Sequence, residues 1–260
     1  MFQSTAGTLP TDGTPTIAGV QLPKGRRITA TGADQPSQVA WVSDDILPVD
    51  QLEPLVRKLA AAFPDTGLWP LRARGLDDDD LSRPWHDGEL DGADPRQGLQ
   101  ALAVLSRPLE AGDDEEEWEE AQSDDPEPAL TLADPLPGPD LTADQLEIDH
   151  PGGLLLVPVA RPADVAAAIG WAGTVNAGLG GGELTAVLRS WEERFGGVLV
   201  GLGFDTMTVQ IARLPQGANE IQAILREHHA FCADNIDQGL PADQYAEGLA
   251  EWIHWDFWWD

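Results

Sequence analysis

"ELTAVLRSWEERFGGVLVGLGFDTMTVQIARL", Glu183 to Leu214, decides the fold. In its first half Leu184, Val187, Leu188, Trp191 and Phe195 recur three or four residues apart, which is one stripe of a helix. Past Gly196 and Gly197 the period changes. "GGVLVGLGF" and "TMTVQIARL" read as two strands joined at a turn around Asp205. In the second strand Met207, Val209 and Ile211 alternate with Thr208, Gln210 and Ala212, so one of its faces is buried. A helix running straight into a strand pair predicts an α+β arrangement, with helices packed on a sheet.

The surrounding segments extend this reading. Upstream, "GLLLVPV" (Gly153 to Val159) is a continuous apolar run, as expected of a strand covered on both faces. Pro162 then opens a helix that turns Val165, Ala168, Ile169 and Ala172 inward. Downstream, one helix spans about Ala218 to Phe231. Another runs from Pro241 towards the C-terminus, with Tyr245, Leu249 and Trp252 inward. The order β-α-α-β-β-α-α predicts a mixed β-sheet. Its core is expected at Leu184, Leu188, Trp191, Val200, Val209, Ile211, Ile221 and Leu225. Nearer the N-terminus, "RITAT" and "QVAWVS" read as strands of the same sheet. Val49, Leu52, Val56, Leu59 and Phe63 mark a helix that Pro64 should end, and "TGLWPLRAR" is a strand that Pro70 should push to an edge or a bulge. Gln97 to Leu105 suggests one more short helix.

Charge divides the chain. Its 260 residues carry a formal net charge of −30. From Leu76 to His150 there are 24 acids against Arg83, Arg96 and Arg107. Three parts follow: an N-terminal lobe (1–75), an acidic segment with a flexible linker interrupting the fold (76–150), and a C-terminal α+β domain (151–260). The run from Asp113 to Asp140 is acidic, rich in Pro and expected to supply no core side chain. A field this negative repels nucleic acid and anionic membranes and permits a basic protein partner. The single cysteine excludes an internal disulfide and a Cys-rich zinc module. "MFQSTAGTLPTDGTPT" lacks the pattern of a signal peptide, and no apolar run is long enough to span a bilayer. The expected setting is the cytoplasm.

"LLLVPVARPADVAAAIGWAGTVN", "LRSWEERFGGVLVGLGFDTMTVQIA", "EHHAFCADNIDQG" and "WIHWDFWWD", in that order, resemble the bacterial family filed as domain of unknown function 4253. The resemblance covers roughly Gly153 to Asp260. "TGLWPL" and "RPWHDGEL" look like the N-terminal half that often precedes it. It implies an α/β-type domain and a bacterial origin, and it brings no activity. The family's motif Asn corresponds to Asn176, with no role attached.

The chemistry-bearing residues gather in three places. In Glu227 to Gly239, His228 and Cys232 share the apolar face with Ile221, Ile224 and Leu225, and His229 lies towards its edge. Packing is the reading of these residues, with Asp234 and Asn235 stopping the helix and Gly239 freeing the chain to turn. A metal reading requires His228 or His229 to converge with Cys232 and a carboxylate, Asp234 or Glu227, on one ion. The terminal Trp252, Trp255, Trp258 and Trp259 read as a lid on the core, or as a docking patch. "GTVNAGLGGGE" holds Asn176 among five glycines, close after Trp171, and matches no nucleotide-binding fingerprint. Arg189 and Arg194 have Glu192 and Glu193 beside them, which predicts surface ion pairs.

Two functional readings follow. The first is a non-catalytic interaction domain of immunity, antitoxin or regulatory type, without a cofactor, with Asn176, Trp171, Trp255, Trp258 and Trp259 as partner-binding candidates. The alternative is a metal-binding or hydrolytic enzyme centred on Glu227 to Asn235.

Overall fold

The computed structural model describes residues 1–77, 80–107 and 129–260. A small hairpin of β1 (Thr16–Ile17) and β2 (Val20–Gln21) precedes the sheet strands β3 (Gly25–Ala30) and β4 (Ser37–Ser43). Then come α1 (Val49–Thr66), β5 (Leu68–Ala73) and α2 (Ala101–Leu105). The C-terminal part continues with β6 (Gly153–Pro158), α3 (Val165–Ile169), α4 (Gly181–Phe195), β7 (Val198–Leu202) and β8 (Thr206–Gln210). It closes with α5 (Ala218–Phe231), α6 (Ala242–Leu249) and β9 (His254–Trp258).

One seven-stranded sheet runs through both ends of the chain in the order β3-β4-β6-β5-β7-β8-β9. Every pair is antiparallel except β5 with β7, so the sheet is mixed and the fold is α+β. The deciding stretch folds as its period requires. Leu184, Val187, Leu188, Trp191 and Phe195 are buried along α4. Gly196 stops that helix in the left-handed region at φ +67, which a side chain would resist. β7 and β8 then pair. Val200, Val209 and Ile211 are buried as expected, whereas Ile221 and Leu225 only pack against the core from its margin. Among the described residues no helix is long and apolar enough to cross a membrane.

Four expectations are corrected. Pro64 does not end α1, which runs on to Thr66. A proline in the last turn forfeits only its own N–H bond. The stop comes at Gly67 (φ +62), whose N–H donates to Phe63 O. Pro70 lies in a central strand, between β6 and β7. The Val159 N–H donates to Gly67 O, which fixes 67–159, 69–157 and 71–155 as the bonded pairs of this ladder. Pro70 opposite Leu156 and Pro158 opposite Leu68 fall on the other set, so neither ring removes a bond of that ladder. On its other side β5 meets β7 only at Arg72 and Ala73, beyond Pro70.

The last helix is shorter than expected, and the Trp-rich end is strand β9. Trp252, Trp255 and Trp259 fit a helical spacing, but Trp255, Phe257 and Trp259 also fit a spacing of two. The second pattern wins: these three are buried while Asp256 and Trp258 face out. The fourth correction concerns Asp113 to Asp140. Residues 113–128 lie outside the described residues, but Ala133 and Leu136 are buried in the core. The average composition of the run concealed Leu130, Leu132 and Leu136, all of which pack on or in the core.

Candidate functional site

Most polar side chains from Glu227 to Asn235 have partners, the buried His228 Nε2 excepted. Glu227 is wholly buried and meets Arg194 in a two-pronged pair at 2.7 and 2.6 Å. Its oxygens also accept the Trp191 indole N–H (2.9 Å) and the Ala133 N–H (2.7 Å). Arg194 completes the cluster by donating to Ala133 O (2.9 Å). The expected surface pair of Arg194 is therefore a buried one, and Glu192 pairs with Arg161 instead. The neighbours Glu192 and Glu193 misled because Arg194 turns towards α5, where Glu227 is four residues before Phe231 on the buried face.

His228 is also wholly buried, with its ring 4.4 Å from Trp255, 5.0 Å from Phe257 and 5.2 Å from Trp191 between centroids. Burial pulls its pKa down to about 3, so the imidazole is neutral. Its Nδ1 lies 3.1 Å from the Tyr245 hydroxyl, which also accepts a bond from Asn235 Nδ2. The hydroxyl proton is thus left for Nδ1. Burial pushes the Cys232 thiol up to about 12, so it stays protonated and donates to Trp258 O at 2.9 Å. His229 points elsewhere, to Asp237 at 3.0 Å. Asp234 accepts the Asp260 N–H and the Gln238 side chain. Among the described residues no three of His, Cys, Asp and Glu are grouped as metal ligands would be.

These side chains cover a sheet edge. Strand β9 is the last in the sheet, and its outward backbone groups at 256, 258 and 260 need partners. Asn235 supplies two: its Nδ2 donates to Asp256 O (2.6 Å) and its Oδ1 accepts the Trp258 N–H (3.1 Å). Cys232 takes Trp258 O and Asp234 takes the Asp260 N–H. Three side chains stand where an eighth strand would otherwise pair. Asn235→Ala is therefore expected to lower stability by about 1–3 kcal/mol through the unpaired groups it leaves. Hydrogen exchange should show the Trp258 amide losing protection first. A change under about 0.5 kcal/mol, within the ordinary range of surface substitutions, would contradict this role.

A cleft of about 540 Å³ opens where the chain leaves β3, β7 and β9. It brings together Trp171, Asn176 and Trp259, three of the partner candidates. Trp171 and Trp259 meet edge to face with centroids 5.7 Å apart. Phe204 adds a third aromatic wall, and Gly173 lets the backbone approach it: a Cβ there would stand 2.5 Å from Phe204 O. Glu89, Asp91, Asp205 and Asp260 also line the space, and among the described residues no Lys or Arg does. Glu89 is paired with Arg83 outside the lining, whereas Asp91, Asp205 and Asp260 carry no ion pair among the described residues. Asn176 donates to Asp260 O at 3.1 Å and so ties the α3–α4 loop to the chain end.

The other two Trp candidates lie apart from the cleft. Trp255 is in the core, against Trp191, Phe195 and His228. Trp258 is 38% exposed and lines a separate groove along β9. The acids of the cleft were not singled out from the sequence, since they come from three separated segments. Trp171, Asn176 and the aromatic motif at the chain end were the usable signals.

Residues 153–260 match the family model described as Domain of unknown function (DUF4253), which is the family that the sequence motifs resemble. No curated protein and no solved structure matches the chain.

Proposed function

We propose that this protein is a non-catalytic interaction domain that receives a basic segment of a protein partner in the cleft walled by Trp171, Phe204 and Trp259. The observation that carries the reading is the lining itself: among the described residues it holds four carboxylates and no Lys or Arg, beside the edges of Trp171, Phe204 and Trp259. Aromatic side chains anchor interfaces, and matched charge steers a partner to them. The chain's charge of −30 favours the approach of a cationic partner from a distance. The groups that an enzyme reading would need are engaged in packing and in the β9 edge. His228 is neutral in the core, Cys232 is protonated, and His229 is paired with Asp237. A reducing cytoplasm fits its single thiol.

Calorimetric titration with a basic octapeptide at physiological salt tests the reading. The native chain should bind, and Asp91→Asn with Asp205→Asn should weaken binding by about ten-fold, as loss of close interfacial charges does. Converting the acids of 113–125 to their amides should have a smaller effect, because general charge attraction is screened by salt. If the second change abolishes binding and the first leaves it intact, attraction is diffuse and the cleft is not the site.

A further inference from the structure

We infer that residues 153–260, the segment that matches the family model, hold an incomplete sheet with a slot one strand wide, and that the partner this slot takes is β5 from the N-terminal part of the same chain. The inference goes beyond the interaction reading and does not depend on the cleft. The strand order carries it. β6 lies between β4 and β5, and both of these come before residue 153. Within 153–260 the strands therefore fall into a lone β6 and the trio β7-β8-β9. Leu154 to Val157 of β6 are wholly buried. Backbone N–H and C=O groups at that depth need partners, and the ladders that supply them come from β4 and β5.

β5 is fitted to both walls of the slot. It runs antiparallel to β6, from Leu68 opposite Pro158 to Ala73 opposite Gly153, and parallel to β7 at Arg72 and Ala73. Pro70 has no N–H to offer the β7 side. There the Trp69 indole N–H reaches across and donates to Leu199 O at 2.8 Å. Past the strand end, the Arg74 N–H donates to Leu202 O at 2.9 Å. Trp69 is itself wholly buried, with its ring 5.2 Å from Phe63 and 4.9 Å from Phe2. The helices of the matched segment lean on earlier residues too. The Asp91 and Asp94 N–H groups donate to Gly170 O and Ala167 O, both at 2.8 Å, and Arg96 pairs with the buried Glu183 at 2.7 Å. In β8 the buried Gln210 amide is held by Gln145 O and the Glu147 N–H, both at 2.9 Å.

Hydrogen exchange of the full chain, followed at urea concentrations below its unfolding midpoint, tests this. The most protected amides of β3 and β4 and those of β8 and β9 should merge into one unfolding step. Leu71→Ala, in the middle of β5, should speed exchange at both ends of the sheet by the same factor, about thirty-fold or more. Trp69→Phe keeps a ring against Phe63 and removes the indole N–H. It should speed both ends equally by about ten-fold, so the test stands even where Leu71→Ala does not fold. Exchange at β8 and β9 that stays at its original rate in Trp69→Phe while β3 and β4 lose protection would overturn the inference. So would a separate unfolding step for β7, β8 and β9 in the unsubstituted chain.

Discussion

Glu227→Ala is expected to lower the unfolding free energy by about 3–5 kcal/mol, the usual cost of breaking one side of a buried ion pair. Arg194 would be left charged and nearly enclosed, with Ala133 O as its remaining buried partner at that end. The Trp191 indole N–H and the Ala133 N–H would each lose their acceptor. Loss should also spread to 129–140, because Ala133 is held to α5 through this carboxylate and Leu136 N–H donates to Arg194 O. Urea unfolding measures the first effect, and hydrogen exchange at Ala133 and Leu136 the second. A loss below about 1 kcal/mol, with both amides still protected, would mean that the pair is not buried as described.

Trp191→Ala is expected to cost a similar amount, about 3–5 kcal/mol, typical of removing a large core aromatic. Trp191 is the hub of the aromatic cluster. It stacks on Phe257 at 5.3 Å with 16° between planes, and meets Phe231 and Trp255 edge to face. Its removal leaves a cavity where α4, α5 and β9 meet. Trp191→Phe should recover most of the packing and still lose the bond to Glu227, so it separates the two contributions. Thermal unfolding of both variants gives the comparison. Equal losses would assign nearly all of the effect to the hydrogen bond.

The α4–β7–β8 run was legible because its period changes from four to two within one stretch, with glycines at the break. The strand β9 was not, since Trp252, Trp255 and Trp259 fit a helix while Trp255, Phe257 and Trp259 fit a strand. Only pairing with β8 decides between them. The packing of His228 and Cys232 could be read from the stripe they share with Ile224. The work of Asn235 could not, because its partners at Asp256 and Trp258 belong to a strand that the sequence did not reveal. Glu227 was hidden for a related reason: its position inward on α5 is plain, but nothing local points to Arg194, 33 residues away. The cleft is a product of topology. Asp91 and Asp205 lie far apart in the sequence and line one cleft only in the folded chain.

Chemical-shift mapping of the intact chain, titrated with a basic octapeptide, is the most direct measurement. Shifts should concentrate at Thr31, Asp91, Gly173, Asn176 and Asp205 and at the indole N–H signals of Trp171 and Trp259, while His229 and Asp237 stay unmoved. Shifts confined to His229 and Asp237, or to the acidic residues 113–125, with the cleft silent, would contradict it.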